Sequence, residues 1–325
     1  MFSQSFTQDA LDTRSITHRP ATVAGAFYPK DTDSLKSMLE EYLQQSGEAA
    51  PYDEIYGIVA PHAGYIFSGW VAAKAYKQVE GREYDAVIVI GPSHFKAFHG
   101  SSVFNGEAYS TPLGDAELDL DLATEIAKSG EKVSLSLDGH EWDAQRTEHS
   151  IEVQIPFIQT VLPETPIVPI CMGTQDALTI DDLVKSIVKS VKKQNKKVVI
   201  VASSDLSHFH SIKDAKKIDK VFIKSFARYD YFKLGNDLSA KKCEACGGGP
   251  VIAAMLAAEQ MGANYSKALQ YSTSGESPYA DIGKKQVVGY LSGLMIKSVR
   301  SSFGDFPEFS EDELNSLKKV AERGI

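Results

Sequence analysis

Eight histidines are spread through the chain, and three share a setting. His62 follows the apolar run YGIVA in APHAGY (60–65). His94 follows DAVIVIG in GPSH (91–94), and His208 closes SSDLSH (203–208) after KVVIVAS. Imidazole suits zinc, copper, iron and nickel, so three such rings in one place would make a metal site. Their spacing matches no compact ligand motif such as HExxH, so the fold itself must gather them. Asp205, three residues before His208, is placed to orient an imidazole, to ligate metal, to act as a base, or to cap a helix starting near 211. His149, in TEHSIEVQIP between Glu148 and Glu152, falls at the expected start of a helix. There the macrodipole disfavours imidazolium, which suits a neutral ring to proton transfer. His18, His99, His140 and His210 have no such placement and read as surface residues.

A second cluster lies in KKCEACGGGPVIAAMLAAEQM (241–261). A structural zinc site needs four ligands, and no second CxxC exists to complete one with Cys243 and Cys246. Cys246 precedes an apolar helix, a position that lowers a thiol pKa, so it reads as a metal ligand or a reactive thiolate. The GGG run resembles a phosphate-cradling loop but lacks the Lys-Ser/Thr of a P-loop and the GxGxxG spacing.

The elements that must position these groups are legible as alternating patterns. Apolar, β-branched runs at 56–60, 85–91, 165–172, 197–203 and 287–293 read as buried parallel strands. Helical periodicity occupies 33–45, 68–79, 115–128, 150–162, 179–194, 212–228 and 251–262. The alternation predicts an α/β fold: a single domain with a mostly parallel open sheet flanked by helices. In such sheets ligands bind outside the carboxyl ends of the strands, where His62, His94 and His208 would converge. Pro61 and Pro92 would stiffen the turns there, and Gly64 and Gly91 would let the backbone turn tightly. Residues 1–20 read as a polar arm, 21–297 as the α/β domain, and 298–325 as a linker plus a C-terminal helix with a capping box at Ser310 and Glu313.

Composition excludes several classes. The 325 residues are 43% hydrophobic and 24% charged, ordinary for a globular chain, with a net charge of −9. An acidic chain argues against a nucleic-acid partner, and the basic run KSVKKQNKK (189–197) reads as the solvated end of a helix. No apolar stretch approaches the roughly 18–20 residues that cross a bilayer, and the N-terminus has no apolar signal core. Three cysteines are too few for a disulfide framework. The expectation is a cytoplasmic protein with no membrane partner.

The motifs also carry a family resemblance. AGAFYP (24–29), APHAGYIFSG (60–69), IGPSH (90–94), EHSIEVQIPF (148–157), SSDLSH (203–208), CGGGP (246–250) and VVGY (287–290) resemble the Memo family, and closely its prokaryotic branch, the AmmeMemoRadiSam system protein B. The resemblance implies a fold similar to class III extradiol dioxygenases. It places the metal on His62, His94 and His208 with Cys246, and Asp205 beside them. Fe(II) or copper is the metal it implies, with zinc possible, in a redox role on a small oxygen-bearing or phenolic substrate. Ring-opening dioxygenases of similar fold use two histidines and a glutamate, where this chain offers a third histidine and a cysteine. The resemblance also implies AMMECR-domain and radical-SAM partners, and the tail FSEDELNSLKKVAERGI resembles the opening helix of an AMMECR domain. The alternative function is a non-catalytic module that binds a ligand or peptide alongside those partners.

Overall fold

The structure is a computed structural model that describes residues 18–52, 54–142, 147–281 and 283–298. Most of the N-terminal arm and the expected capping box at Ser310 and Glu313 lie outside the described residues. In chain order the first elements are β1 (His18–Arg19), α1 (Thr32–Gln45), β2 (Glu54–Ala60), α2 (Tyr65–Val79) and β3 (Ala86–Pro92). β4 (Ser101–Phe104), β5 (Ala108–Thr111), β6 (Gly114–Glu117), α3 (Leu120–Ser129) and β7 (Val133–Ser136) follow. After a 3-10 turn (Glu152–Gln154) come α4 (Ile155–Val161), β8 (Ile167–Met172), α5 (Ala177–Gln194), β9 (Val198–Ser203) and β10 (Asp205–His210). α6 (Ile212–Ala227), α7 (Tyr231–Ser239), α8 (Gly248–Met261), β11 (Tyr265–Thr273) and β12 (Val287–Lys297) complete the domain.

The principal sheet has the order β10-β12-β2-β9-β3-β8-β4-β7, with β11 on the other side of β12. Its centre, β2-β9-β3-β8, is parallel throughout. Successive strand residues feed two separate cores, as the period of two requires. Ile88 and Ile90 of β3 face α3, α5, α6 and α8, whereas Val87 and Val89 face α1, α2 and α4. α8 is buried on nearly every side, matching its lack of a polar face.

The α/β class is as expected, but the sheet is mixed. The run 287–293, expected to be parallel, belongs to β12, which pairs antiparallel with β2, β10 and β11. The helix expected over 115–128 starts at Leu120, because Asp119 caps it by accepting from Leu122 N. Residues 114–117 instead pair with β5 in a small sheet that also takes in β1. Described structure therefore begins inside the arm: Arg19 is 1% exposed.

Candidate metal centre

Register puts the carboxyl ends of the central strands side by side. Ala60 of β2 is level with Ser203 of β9, and Pro92 of β3 with Met172 of β8. Segment 148–154 crosses the same end of the sheet. Ser150 Oγ donates to Pro92 O at 2.8 Å, and Gln154 Nε2 donates to Pro61 O at 3.0 Å. This approach explains Gly91: a Cβ there would stand 2.6 Å from Ser150 Oγ. Gly64 has a different role from the one its sequence suggests. It precedes α2 at φ −56°, a conformation open to any residue, and has only ordinary contacts.

His62, His94 and His149 converge here, with one ligand atom from each lying within 4.8 Å of the others. The rings of His94 and His149 stack 4.7 Å apart, and His62 meets both edge-on at 5.1 and 5.5 Å. The imidazole that completes the cluster is thus His149, which sequence placed as a proton carrier, rather than His208, which sequence placed as a ligand. His208 lies in β10, an antiparallel strand, and its Nδ1 donates to Leu206 O at 2.8 Å.

Hydrogen bonding fixes which nitrogen two of the rings present. Ser203 Oγ donates to Ser150 O at 2.6 Å and accepts from Gln154 Nε2 at 2.8 Å. A hydroxyl has one proton, so the remaining contact, His62 Nδ1 at 2.8 Å, must be donated by the ring. The Nε2 lone pair of His62 is left facing the cluster. Glu148 does the same for His94: its Oε1 accepts from Nδ1 at 2.9 Å, while Oε2 accepts from the His94 amide at 2.5 Å. Glu148 Oε1 also accepts from the amides of His149 and Ser150, both at 2.9 Å. A carboxylate on the far nitrogen of a ligand histidine fixes tautomer and ring orientation, and raises basicity. Sequence reasoning noted Glu148 only as a neighbour of His149. The signal available was an acid directly before a candidate histidine.

Electrostatics follow from this packing. Burial would raise the Glu148 carboxyl, but His94 and the backbone amides outweigh it and hold it down to about 2. Burial opposes charge on His94, yet the Glu148 carboxylate leaves its pKa above the ordinary value. Burial and then the neighbouring His94 lower His149 to about 4 and push His62 well down, so both are neutral at physiological pH. Asp205 is almost fully buried, and burial lifts its carboxyl to about 7. It accepts from the His62 amide at 2.8 Å. It does not cap the next helix, whose cap is Ser211.

Cys246 adjoins the cluster at His62, with Sγ 3.1 Å from Nε2. Its position before α8 predicts a lowered thiol pKa, but burial and the nearby Asp205 push it up. Gly247 makes the approach possible, since a Cβ there would stand 2.2 Å from the Ser203 carbonyl oxygen. Cys243 is buried in the core, 1% exposed. Two of the histidines read as surface residues differ from that expectation. His140 is fully buried and hydrogen-bonded at both ring nitrogens, and His210 is half-buried against Glu244 at 2.9 Å.

Comparison with known proteins agrees with this motif set. The family described as Memo-like protein matches residues 19–294. The chain belongs to the Memo-like family. A MEMO1 family protein of Methanocaldococcus jannaschii is 36% identical over 293 residues, covering 85% of this chain and 98% of the relative. A MEMO1 family protein of Methanobrevibacter smithii is 34% identical over 286 residues, covering 85% and 99%. Among solved structures, an uncharacterized protein from Escherichia coli K12 aligns over 74% of this chain and all of its own, with a TM-score of 0.47 and 12% identity. Among the described residues, no helix is long and apolar enough to cross a membrane.

Proposed function

We propose that this Memo-like protein is a metal-dependent oxidoreductase in which iron or copper is held by His62, His94 and His149, with Cys246 as a fourth ligand. The convergence of three imidazole donors within 4.8 Å carries this reading. Two of the rings have their other nitrogen tied, so their lone pairs are committed to the centre. Nitrogen and sulfur donors suit copper, iron and zinc, and a redox role selects the first two. The bound metal would supply Lewis acidity and one-electron chemistry.

The chain's own residues have separable tasks. Glu148 and Ser203 hold the rings of His94 and His62 in one tautomer. Cys246, a thiol in the unligated site, would give up its proton to bind a cation. The carboxyl of Asp205, at about 7, is matched to carrying a proton at neutral pH. Phe27 packs against His149 at 4.6 Å, and the half-exposed Phe95 borders the His94–His149 stack. That apolar rim fits a small phenolic or other oxygen-bearing substrate, as in dioxygenase-like chemistry.

The test is anaerobic loading with Fe(II) or Cu(I), followed by metal analysis and oxygen uptake across a panel of catechols. The proposal expects about one metal per chain and substrate-dependent oxygen consumption. Stoichiometric metal without turnover would make the chain a non-catalytic ligand- or peptide-binding module, acting with AMMECR-domain and radical-SAM partners. No retained metal would overturn the site.

A further inference from the structure

We propose that Arg19 is a positioning residue for the metal centre, gripping from beneath the turn that carries His149 and the carboxylate of Glu148. The inference rests on the metal reading above, but its own test does not depend on metal.

Arg19 comes from β1, more than 120 residues from three of the groups it binds. One planar guanidinium meets three acceptors on two segments. Nη2 donates to Glu148 O at 2.5 Å, Nη1 to Glu152 Oε2 at 2.5 Å, and Nε to His140 O at 3.0 Å. Its cation also lies over the Tyr109 ring, 4.9 Å from the centroid. Glu148 and Glu152 bracket one turn, closed by Val153 N donating to His149 O at 3.0 Å. His149 therefore sits on a turn held at both ends by a single side chain. The Glu148 carbonyl that Arg19 holds belongs to the residue whose carboxylate fixes His94.

Glu152 is saturated in turn. Its Oε1 accepts from Val23 N and Tyr28 Oη, both at 2.8 Å, and its Oε2 accepts from Thr22 Oγ1 at 2.8 Å as well as from Arg19. Glu152 is fully buried and Arg19 nearly so. A buried ion pair is no more stabilising than well-packed apolar residues, so its use is better sought in the geometry it imposes. Lysine could keep the charge but not the fork, because an ammonium cannot reach three acceptors in fixed planar directions.

The experiment compares the wild-type chain with Arg19→Lys and with the charge-free pair Arg19→Gln/Glu152→Gln, each checked for folding by circular dichroism. Long-range proton–nitrogen spectra of the metal-free proteins read the ring tautomers. At a pH where both rings are neutral, wild-type His94 and His208 are both Nδ1–H. In a folded variant the His94 signals should move toward a tautomer mixture, while His208, tied to Leu206 O, should not move. Titration with Co(II) as the probe metal should show affinity 10–100-fold weaker, the range for removing an outer-shell partner. A folded variant with wild-type His94 signals overturns the proposal, as does one whose His208 signals move equally, which would mark a general loosening. Failure of the wild type to take up Co(II) would count against the metal reading, while the tautomer spectra would still decide the role of Arg19.

Discussion

At His140 both ring nitrogens are bonded to oxygen atoms; at His62 one is bonded to a serine and the other meets a cysteine thiol beside two further imidazoles. Both residues are buried, at 0% and 1% exposure. His140 Nε2 donates to Ser102 O at 3.1 Å, so its Nδ1 must accept from Tyr109 Oη at 2.5 Å. His62 donates Nδ1–H to Ser203 and leaves Nε2 facing His94, His149 and the Cys246 thiol. Equal burial therefore conceals opposite roles. A histidine with both nitrogens bonded to oxygen atoms has no nitrogen left to offer, whereas one whose Nε2 faces two imidazoles and a thiol belongs to a group that could hold a metal. His208 stands between the two: its Nδ1 is tied to Leu206 O and it is not one of the three grouped donors, yet it lies near enough for its charge to oppose charge on His62.

The largest effects should come from exchanging the two buried rings' fates. His140→Ala should cost about 3 kcal/mol in chemical denaturation, through an unfilled site and a Tyr109 hydroxyl left without its acceptor. It should change metal affinity less than fivefold. His62→Ala should weaken metal binding at least a hundredfold by competition titration. If His140→Ala removed the metal and His62→Ala did not, the distinction would collapse.

Acid should expose the same contrast. Burial holds His140 at about 4, against an unfolded value near 6.5. The unfolded chain takes the proton first, so this contribution is fully present above pH 6.5. It declines as pH falls toward 4, by roughly 3 kcal/mol at most. Denaturation of the metal-free protein across that window should show a shallower loss for His140→Gln than for the wild type. Equal slopes would mean that His140 is not held neutral by the fold.

A smaller effect separates a fixed ring from a merely nearby one. Glu148→Gln removes the carboxylate that holds His94 and should weaken metal binding about 10–100-fold. His208→Ala should change it less than threefold. A Glu148→Gln variant with wild-type affinity would show that His94 needs no outer support.

Much of this arrangement was legible in the sequence. Continuous apolar, β-branched runs marked the central strands, and proline or glycine beside His62 and His94 marked their ends. His208 lies outside the three-imidazole group for a physical reason: a strand's direction is not written in its composition. β10 follows β9 after a single residue and turns antiparallel onto β12, which carries His208 to the sheet edge. His149 was recognised as chemically placed, but its partners lie 55 and 87 residues back at strand ends, so pairing them needed the register. Arg19 sat in what read as a polar arm, and no local pattern announces an arginine that binds residues more than a hundred positions away.

The most direct measurement is anomalous scattering at the metal edge from crystals grown after anaerobic loading with iron or copper. The ligand set described here predicts one peak about 2.0–2.2 Å from nitrogens of His62, His94 and His149, near Cys246 Sγ. A peak ligated by His208 with His149 outside its reach would contradict it.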